Sequence, residues 1–150
     1  MAKHIARIEW SRGEAAFADG RYSRGHTISF DGGVSIAASS SPSVIPAPLS
    51  VVEAADPEEL LIASLSSCHM LTFLDLARRA GFIIDRYEDN AEGTLGKNEA
   101  GRFCITSVTL KPQITYSGAA PSPEQLHDLH HKAHELCFIA NSVNCPVIVE

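Results

Sequence analysis

The sequence lacks an excess of positive charge, and this absence narrows the kinds of partner that the protein can bind. Among its 150 residues, 12 are Lys or Arg and 18 are Asp or Glu, which gives a formal net charge of −6 at pH 7. No basic block stands out, so nucleic acids and anionic membrane surfaces are poor partners. Hydrophobic residues make up 45% of the chain, which excludes a disordered protein and predicts one domain, residues 1–150.

Signals for export, membrane insertion and nucleotide binding are also missing. The first ten residues contain no apolar stretch with a small-residue cleavage site. The uncharged and largely apolar run 60–74 has 15 residues, which is short for a membrane span of ~20 apolar positions. No Gly-x-Gly-x-x-Gly or P-loop pattern supports a nucleotide cofactor. We therefore expect a cytoplasmic protein whose four cysteines are buried, catalytic or metal-bound rather than structural disulfides.

The hydrophobic pattern and the turn residues predict an α+β domain with a mostly antiparallel sheet. Strands are predicted at 4–10, 22–30, 33–38, 82–95, 103–116 and 147–149. Asp31-Gly32-Gly33 supplies the tight turn of the first hairpin, and the first strand is predicted to lie at a sheet edge. The segment 39–50 is rich in Ser and Pro, which excludes a helix or a central strand there.

A long first helix is predicted from Asp56-Pro57 to about Ala80, and it is apolar or small on nearly every side. Asp56 is a favourable N-cap, Pro suits the first turn, and Gly81 is a typical helix stop. A helix without a polar face must be covered all round. Because a chain of this size covers one side easily and two with difficulty, we expect a second copy of the chain to cover the rest.

A second helix, predicted from Ser122 to about Ala140, combines a thiol with a stripe of histidines. Gln125 completes a capping box with Ser122. The predicted core stripe consists of Leu126, Leu129, Ala133, Leu136 and Ala140, with Cys137 at its border. The histidines are His127, His130, His131 and His134. Their spacing could bind zinc or nickel, but no His-Glu-x-x-His or Cys-x-x-Cys motif accompanies them, and we expect no native metal.

Cys68, in the middle of the first helix, is the residue most informative about chemistry. The simple interpretation is a core cysteine. A functional thiol there needs a cation, because apolar burial raises the pKa of a thiol and no helix N-terminus lies nearby to lower it. Arginine suits this role because it stays charged when buried. Arg21 and Arg24 lie on either side of Tyr22-Ser23, at the entrance of the first hairpin. Glu58 is a candidate acid for fixing the arginine, although a first-turn acid also simply favours the helix dipole.

Two stretches of the sequence resemble the OsmC/Ohr family of thiol-dependent hydroperoxide reductases. The first is Asp56-Pro57-Glu58-Glu59-Leu60 through Ser66-Ser67-Cys68-His69; in that family an Asn/Asp-Pro-Glu helix start precedes a reactive cysteine by about this interval. The second is His134-Glu135-Leu136-Cys137 with the following Asn141-Ser142, which is similar to the family's second-cysteine helix. The order of elements also agrees, so the resemblance covers most of the chain.

The resemblance implies an intertwined homodimer with a long buried central helix and active sites at the subunit interface. It implies that Cys68 attacks the peroxide, that Cys137 is the resolving thiol, and that Glu58 orients an arginine. We assign that arginine as Arg24, with Arg21 as the alternative. Cys137 is not followed by the Pro that often follows it in the family. Cys145-Pro146 is therefore the alternative resolving thiol, although Cys104 and Cys145 are otherwise interpreted as structural.

The implied activity is a stress-response peroxidase that reduces organic hydroperoxides, with hydrogen peroxide as a further candidate substrate. It proceeds through a Cys68 sulfenic acid and a Cys68–Cys137 disulfide, needs no bound cofactor, and uses an external dithiol of lipoyl type or another thiol as reductant. The alternative is a non-catalytic module of the same fold, which binds a metal through the histidine stripe or an apolar ligand in the dimer groove.

Overall fold

The computed structural model describes all 150 residues, and they divide into two compact units, Met1–Leu60 and Leu61–Glu150. The first unit contains a three-stranded antiparallel sheet in the order β1-β2-β3. Its strands are β1 (Ala6–Glu9), β2 (His26–Phe30) and β3 (Ser35–Ala38). β1 lies at the edge as predicted, and Gly33 has the positive φ of 90° that the hairpin turn requires. One domain over 1–150 stays a prediction.

The boundaries of the first unit differ from the prediction at β2. This strand begins at His26 rather than at residue 22, because its partner β1 ends at Glu9, opposite Thr27. Residues 39–50 form neither helix nor strand, as their prolines predict. The backbone N–H of Arg24 donates to the carbonyl of Leu49 at 2.8 Å, which fixes the segment before β2 against this loop.

Helix α1 (Pro57–Arg79) has the predicted start and end. The Asp56 carboxylate accepts the Glu59 N–H at 2.8 Å, and the Glu59 carboxylate accepts the Asp56 N–H at 3.1 Å, so the helix begins with a reciprocal cap. Beyond its end, Gly81 has a φ of 88°, which suits a C-terminal glycine. By length and composition alone α1 could also cross a membrane, a test that the core helix of a water-soluble protein passes as well.

The single chain covers only one stripe of α1. The buried residues recur at every fourth position and are Leu65, His69, Phe73 and Ala77. On another side of the helix, Leu71 is 62% exposed. The all-round apolar character seen in the sequence therefore exceeds what this chain buries by itself.

In the second unit, each of the two long strands predicted from the sequence is found as two shorter strands. The strands are β4 (Ile83–Asp89), β5 (Glu92–Lys97), β6 (Phe103–Leu110), β7 (Pro112–Ser117) and β8 (Val147–Val149). The break between β4 and β5 lies next to the break between β6 and β7. At this point the Asp89 carboxylate accepts hydrogen bonds from the Lys111 backbone N–H at 2.6 Å and from the Ser66 hydroxyl at 2.5 Å. Pro112 has no N–H for a continuous ladder. β4 pairs with β7 antiparallel, whereas β6 lies between antiparallel β5 and parallel β8, so the predicted α+β class is confirmed.

Helix α2 (Pro123–Leu136) begins with the predicted capping box of Ser122 and Gln125. It ends earlier than predicted, because Cys137 adopts an extended backbone as the C-cap and a 3-10 helix, Ala140–Ser142, follows. The predicted core position of Leu136 is wrong, since this side chain is 55% exposed. Leu129 and Ala133 are buried, and their four-residue spacing continues to Cys137, which is 1% exposed.

Two apolar clusters hold α1 in the second unit. In the first, Phe73 and Ala77 of α1 pack with Leu129 and Ala133 of α2, and partly buried residues of β4 and β7 contact this cluster. In the second, Leu65 of α1 packs with Val108 and Leu110 of β6. α1 therefore joins both sheets to α2, and Cys68 lies between the positions that enter the two clusters.

Candidate functional site

The thiols of Cys68 and Cys137 meet where α1 packs against the C-terminal end of α2. Cys68 is half-buried and Cys137 is buried, and the Cys68 thiol lies close enough to Cys137 to affect its pKa. All four cysteines are free thiols. Cys104 lies on β6 and Cys145 precedes Pro146. The structure thus brings together the two cysteines that the sequence resemblance pairs.

Burial and local hydrogen bonds give Cys137 a distinct chemical state. Burial raises the pKa of the Cys137 thiol above its usual value, and the neighbouring Cys68 thiol raises this pKa further. The backbone N–H of Ala140 donates to Cys137 Sγ at 3.3 Å and opposes this change. With its pKa raised, Cys137 holds its proton at neutral pH and can donate the S–H to the sulfur of Cys68.

Arg24 lies in the first unit, just before β2, with its guanidinium held by backbone carbonyls. Its Nη1 donates to the carbonyls of Gly20 at 2.8 Å and Tyr22 at 2.5 Å. Its Cζ lies 4.0 Å from the centre of the Tyr22 ring, in a cation–π contact. Arg24 is half-buried, whereas Arg21 is exposed and makes no side-chain hydrogen bond. A fixed guanidinium whose Nη2 and Nε have no partner in the chain can bind an anion.

Glu58, in the first turn of α1, is half-buried and has no hydrogen-bond or ion-pair partner in the chain. Asp56 and Glu59 form the helix cap instead, which leaves the Glu58 carboxylate free. The predicted ion pair of Glu58 with Arg24 is not formed within the single chain, whose ion pairs include neither residue. The single chain therefore supplies both groups but does not join them.

A pair of imidazoles, the buried His69 and the half-buried His130, connects α1 to α2 near the thiols and was not identified from the sequence. His69 is 1% exposed, and its Nε2 lies 3.0 Å from His130 Nδ1 in a hydrogen bond. The His130 ring stacks on Phe73 with centroids 4.3 Å apart. The four-residue spacing of Leu65, His69 and Phe73 was the available signal, because it places His69 on the buried stripe of α1.

Burial lowers the pKa of both imidazoles, which keeps the pair uncharged near neutral pH. The pKa of His130 falls to about 4, first through burial and then through His69. The pKa of His69 is lowered by burial and then by His134, while Asp89 acts weakly in the opposite direction on both rings. Nδ1 of His69 and Nδ1 of His134 are buried without a partner. An uncharged pair is the state that such a site tolerates.

A cavity of about 490 Å³ lies beside the histidine face of α2. Its lining includes His127, His130, His131 and His134 of α2 together with apolar residues of β7 and β8. No three or more His, Cys, Asp or Glu side chains form a group that could hold a metal ion. The cavity has the size of a small-molecule site.

Comparisons with known proteins place the chain in a family. A family model described as OsmC-like protein matches residues 51–150. An OsmC-like protein of unknown function from Vibrio cholerae is 51% identical and has a TM-score of 0.97, and the match covers 100% of this chain and 99% of that one. No curated protein matches the sequence.

More distant solved structures share the fold. An organic hydroperoxide resistance protein from Elizabethkingia anophelis is 21% identical with a TM-score of 0.74, over 99% of this chain and 94% of that one. Organic hydroperoxide resistance protein OhrB of Bacillus subtilis is 22% identical with a TM-score of 0.71, over 99% of this chain and 97% of that one. At these identities the likeness concerns the fold alone.

Proposed function

This chain belongs to the OsmC-like family, and on that premise we propose that it is a thiol-dependent peroxidase that reduces organic hydroperoxides. The observation that carries the proposal is the placement of the Cys68 thiol beside the buried thiol of Cys137. Two solved structures of the same fold are of proteins named for organic hydroperoxide resistance. The reduction of one peroxide requires two electrons, and two neighbouring thiols can supply them by forming a disulfide.

The proposed reaction balances in three steps. The Cys68 thiolate attacks the distal peroxide oxygen, the O–O bond breaks, and the alkoxide takes a proton and leaves as an alcohol. Cys68 is then a sulfenic acid. The sulfur of Cys137 displaces the sulfenic hydroxyl, which leaves as water after taking the Cys137 proton, and a disulfide forms. An external dithiol, of lipoyl type or another thiol, reduces this disulfide by exchange and is itself oxidised.

Arg24 is the proposed cation of the site, and Glu58 is the proposed acid that orients it. The support for Arg24 over Arg21 is its fixed, half-buried guanidinium. The support for Glu58 is its free carboxylate in the first turn of α1. In the proposed reaction the guanidinium holds the Cys68 thiolate and polarises the peroxide.

A second copy of the chain is the proposed partner, and the cytoplasm is the proposed location. The support for a homodimer is the face of α1 that this chain leaves open, where Leu71 is 62% exposed. The support for the location is the proposed chemistry, which starts from the free thiols of Cys68 and Cys137 and needs a reducing compartment.

Thiol titration before and after one equivalent of cumene hydroperoxide tests the proposed function. The wild type is expected to lose two thiols per chain, because one peroxide oxidises the pair to a disulfide. Cys68→Ser should abolish peroxide consumption. Cys137→Ser should stop at a sulfenic acid that dimedone traps. Cys104→Ser is the matched control and should behave as the wild type; full peroxide turnover by Cys68→Ser would refute the assignment.

The role of the arginine is tested in the same assay with a matched pair of variants. Arg24→Ala should slow peroxide consumption by about 10²-fold or more, since it removes a charge-assisted contact to the reacting thiolate. Arg21→Ala removes the same charge from an exposed neighbour and should leave the rate within about twofold. The reverse order of the two effects would transfer the role to Arg21.

A second candidate function, a non-catalytic ligand-binding module, is favoured by one observation, the cavity of about 490 Å³ beside α2. Its lining is largely apolar, which suits an apolar ligand rather than a metal ion. Unchanged thiol content after peroxide treatment would favour this function over the peroxidase.

A further inference from the structure

The hydrogen bond between His69 and His130 is a polar side-chain link between α1 and α2. The two residues are 61 positions apart in the chain. His69 directly follows Cys68, and His130 lies two helical turns before Cys137. The bond therefore joins the same two elements that carry the thiol pair.

The link has one defined geometry because its surroundings fix both rings. The two ring planes differ by 10°, with centroids 5.3 Å apart. Phe73 supports the His130 ring from one side, at a centroid distance of 4.3 Å. His69 is 1% exposed, so its side of the contact is shielded from solvent. One nitrogen must donate and the other must accept, which requires at least one neutral imidazole.

We propose that His69 and His130 are positioning residues, whose hydrogen bond sets the approach of Cys137 to Cys68 and thereby promotes closure of the disulfide. The proposal rests on the two-thiol reaction given above. Neither imidazole takes part in bond making. The bond instead holds α2 against α1 near the two cysteines, so that the sulfurs of Cys68 and Cys137 can approach closely enough to form a disulfide.

The charges around the pair make this positioning sensitive to acid. On α2, His134 and His127 lower the tendency of the pair to gain a proton, and at the end of β4 Asp89 raises it weakly. Tyr87 of β4 contacts Phe73 and stays protonated, because burial raises its pKa. Protonation of one imidazole places an uncompensated charge in the contact. Protonation of both imidazoles leaves no nitrogen that can accept the hydrogen bond. Positioning is therefore strongest with both rings neutral.

The test measures the equilibrium between the dithiol and the Cys68–Cys137 disulfide in dithiothreitol redox buffers. All variants also carry Cys104→Ser and Cys145→Ser, so that Cys68 and Cys137 are the only thiols that the redox buffer can oxidise. His130→Leu removes the hydrogen bond and keeps an apolar side chain. His130→Asn restores a polar atom near the position of Nδ1.

We expect His130→Leu to lower the equilibrium constant for disulfide formation by about tenfold, and His130→Asn to stay within about threefold of the wild type. His127→Leu, a change at an exposed histidine of the same helix, should have no effect. Rescue by Asn separates positioning from general loosening of the helix. An unchanged constant in His130→Leu would overturn the proposal.

A pH profile adds a readout that a purely structural role would not move. The closure rate is measured from pH 7 to about pH 4, where His130 becomes half protonated, after diamide oxidation, and the ratio of wild type to His130→Asn is taken. Thiol ionisation cancels in this ratio, so it should fall towards acid because only the wild type has the imidazole. A flat ratio would overturn the proposal. Absence of any Cys68–Cys137 disulfide in the wild type would instead overturn the two-thiol function and this role with it.

Discussion

The buried imidazole pair predicts that the protein loses stability in mild acid through one identifiable residue. The pKa of His130 lies at about 4 in the folded chain against an ordinary value of 6.5. Its neutral form is thus favoured by folding, and the unfolded chain binds more protons between these two values. Stability from this residue is fully present above about pH 6.5, decreases as the pH falls towards about 4, and changes no further below it.

The size of the effect follows from the two pKa values of His130. Between pH 8 and pH 5 the linkage relation gives a loss of about 2 kcal/mol in the free energy of unfolding. Because His130 is only half-buried, solvent screening reduces the expected loss to about 1–2 kcal/mol. The buried His69, whose pKa is also lowered by burial, adds a loss of the same sign.

Urea unfolding at pH 8 and pH 5, at one fixed protein concentration, measures this prediction. His130→Asn has no titrating ring at this position, so it should lose about 1–2 kcal/mol less than the wild type over the same interval. His127→Asn, at an exposed position, should lose as much as the wild type. Equal losses in His130→Asn and the wild type would refute the reasoning.

Two further predictions concern the two sides of α1. Phe73→Ala should lower the free energy of unfolding by about 3–5 kcal/mol in urea denaturation, because Phe73 is 0% exposed and packs against α2; a loss below about 1 kcal/mol would contradict the described core. Leu71→Asp should shift sedimentation from dimer to monomer, because the 62% exposed Leu71 lies on the face assigned to the second copy; an unchanged dimer would place the interface elsewhere.

The local features of this fold were predictable from the sequence because the responsible residues are neighbours in the chain. The cap of α1 needs only Asp56 and residues within one turn, and Gly81 marks its end by its own backbone freedom. Ser122 and Gln125 fixed the start of α2 in the same way. The family was also predictable, since its motif around Cys68 is a short run of the sequence.

Other features required the packed chain. Leu136 was predicted as core and Cys137 as border, but the phase of α2 is set by contact with α1, and an extended backbone at Cys137 ends the helix there. The strand breaks beside Asp89 likewise depend on groups distant in the chain, Ser66 and Lys111. No local pattern encodes these contacts.

The sequence by itself determined the element types and the helix caps, because hydrogen bonds and backbone preferences within a few residues decide them. Only the tertiary structure brought the thiol of Cys137 to Cys68 and the imidazole of His130 to His69. Both contacts join helices far apart in the chain, and such contacts are decided by which apolar faces pack together rather than by local sequence.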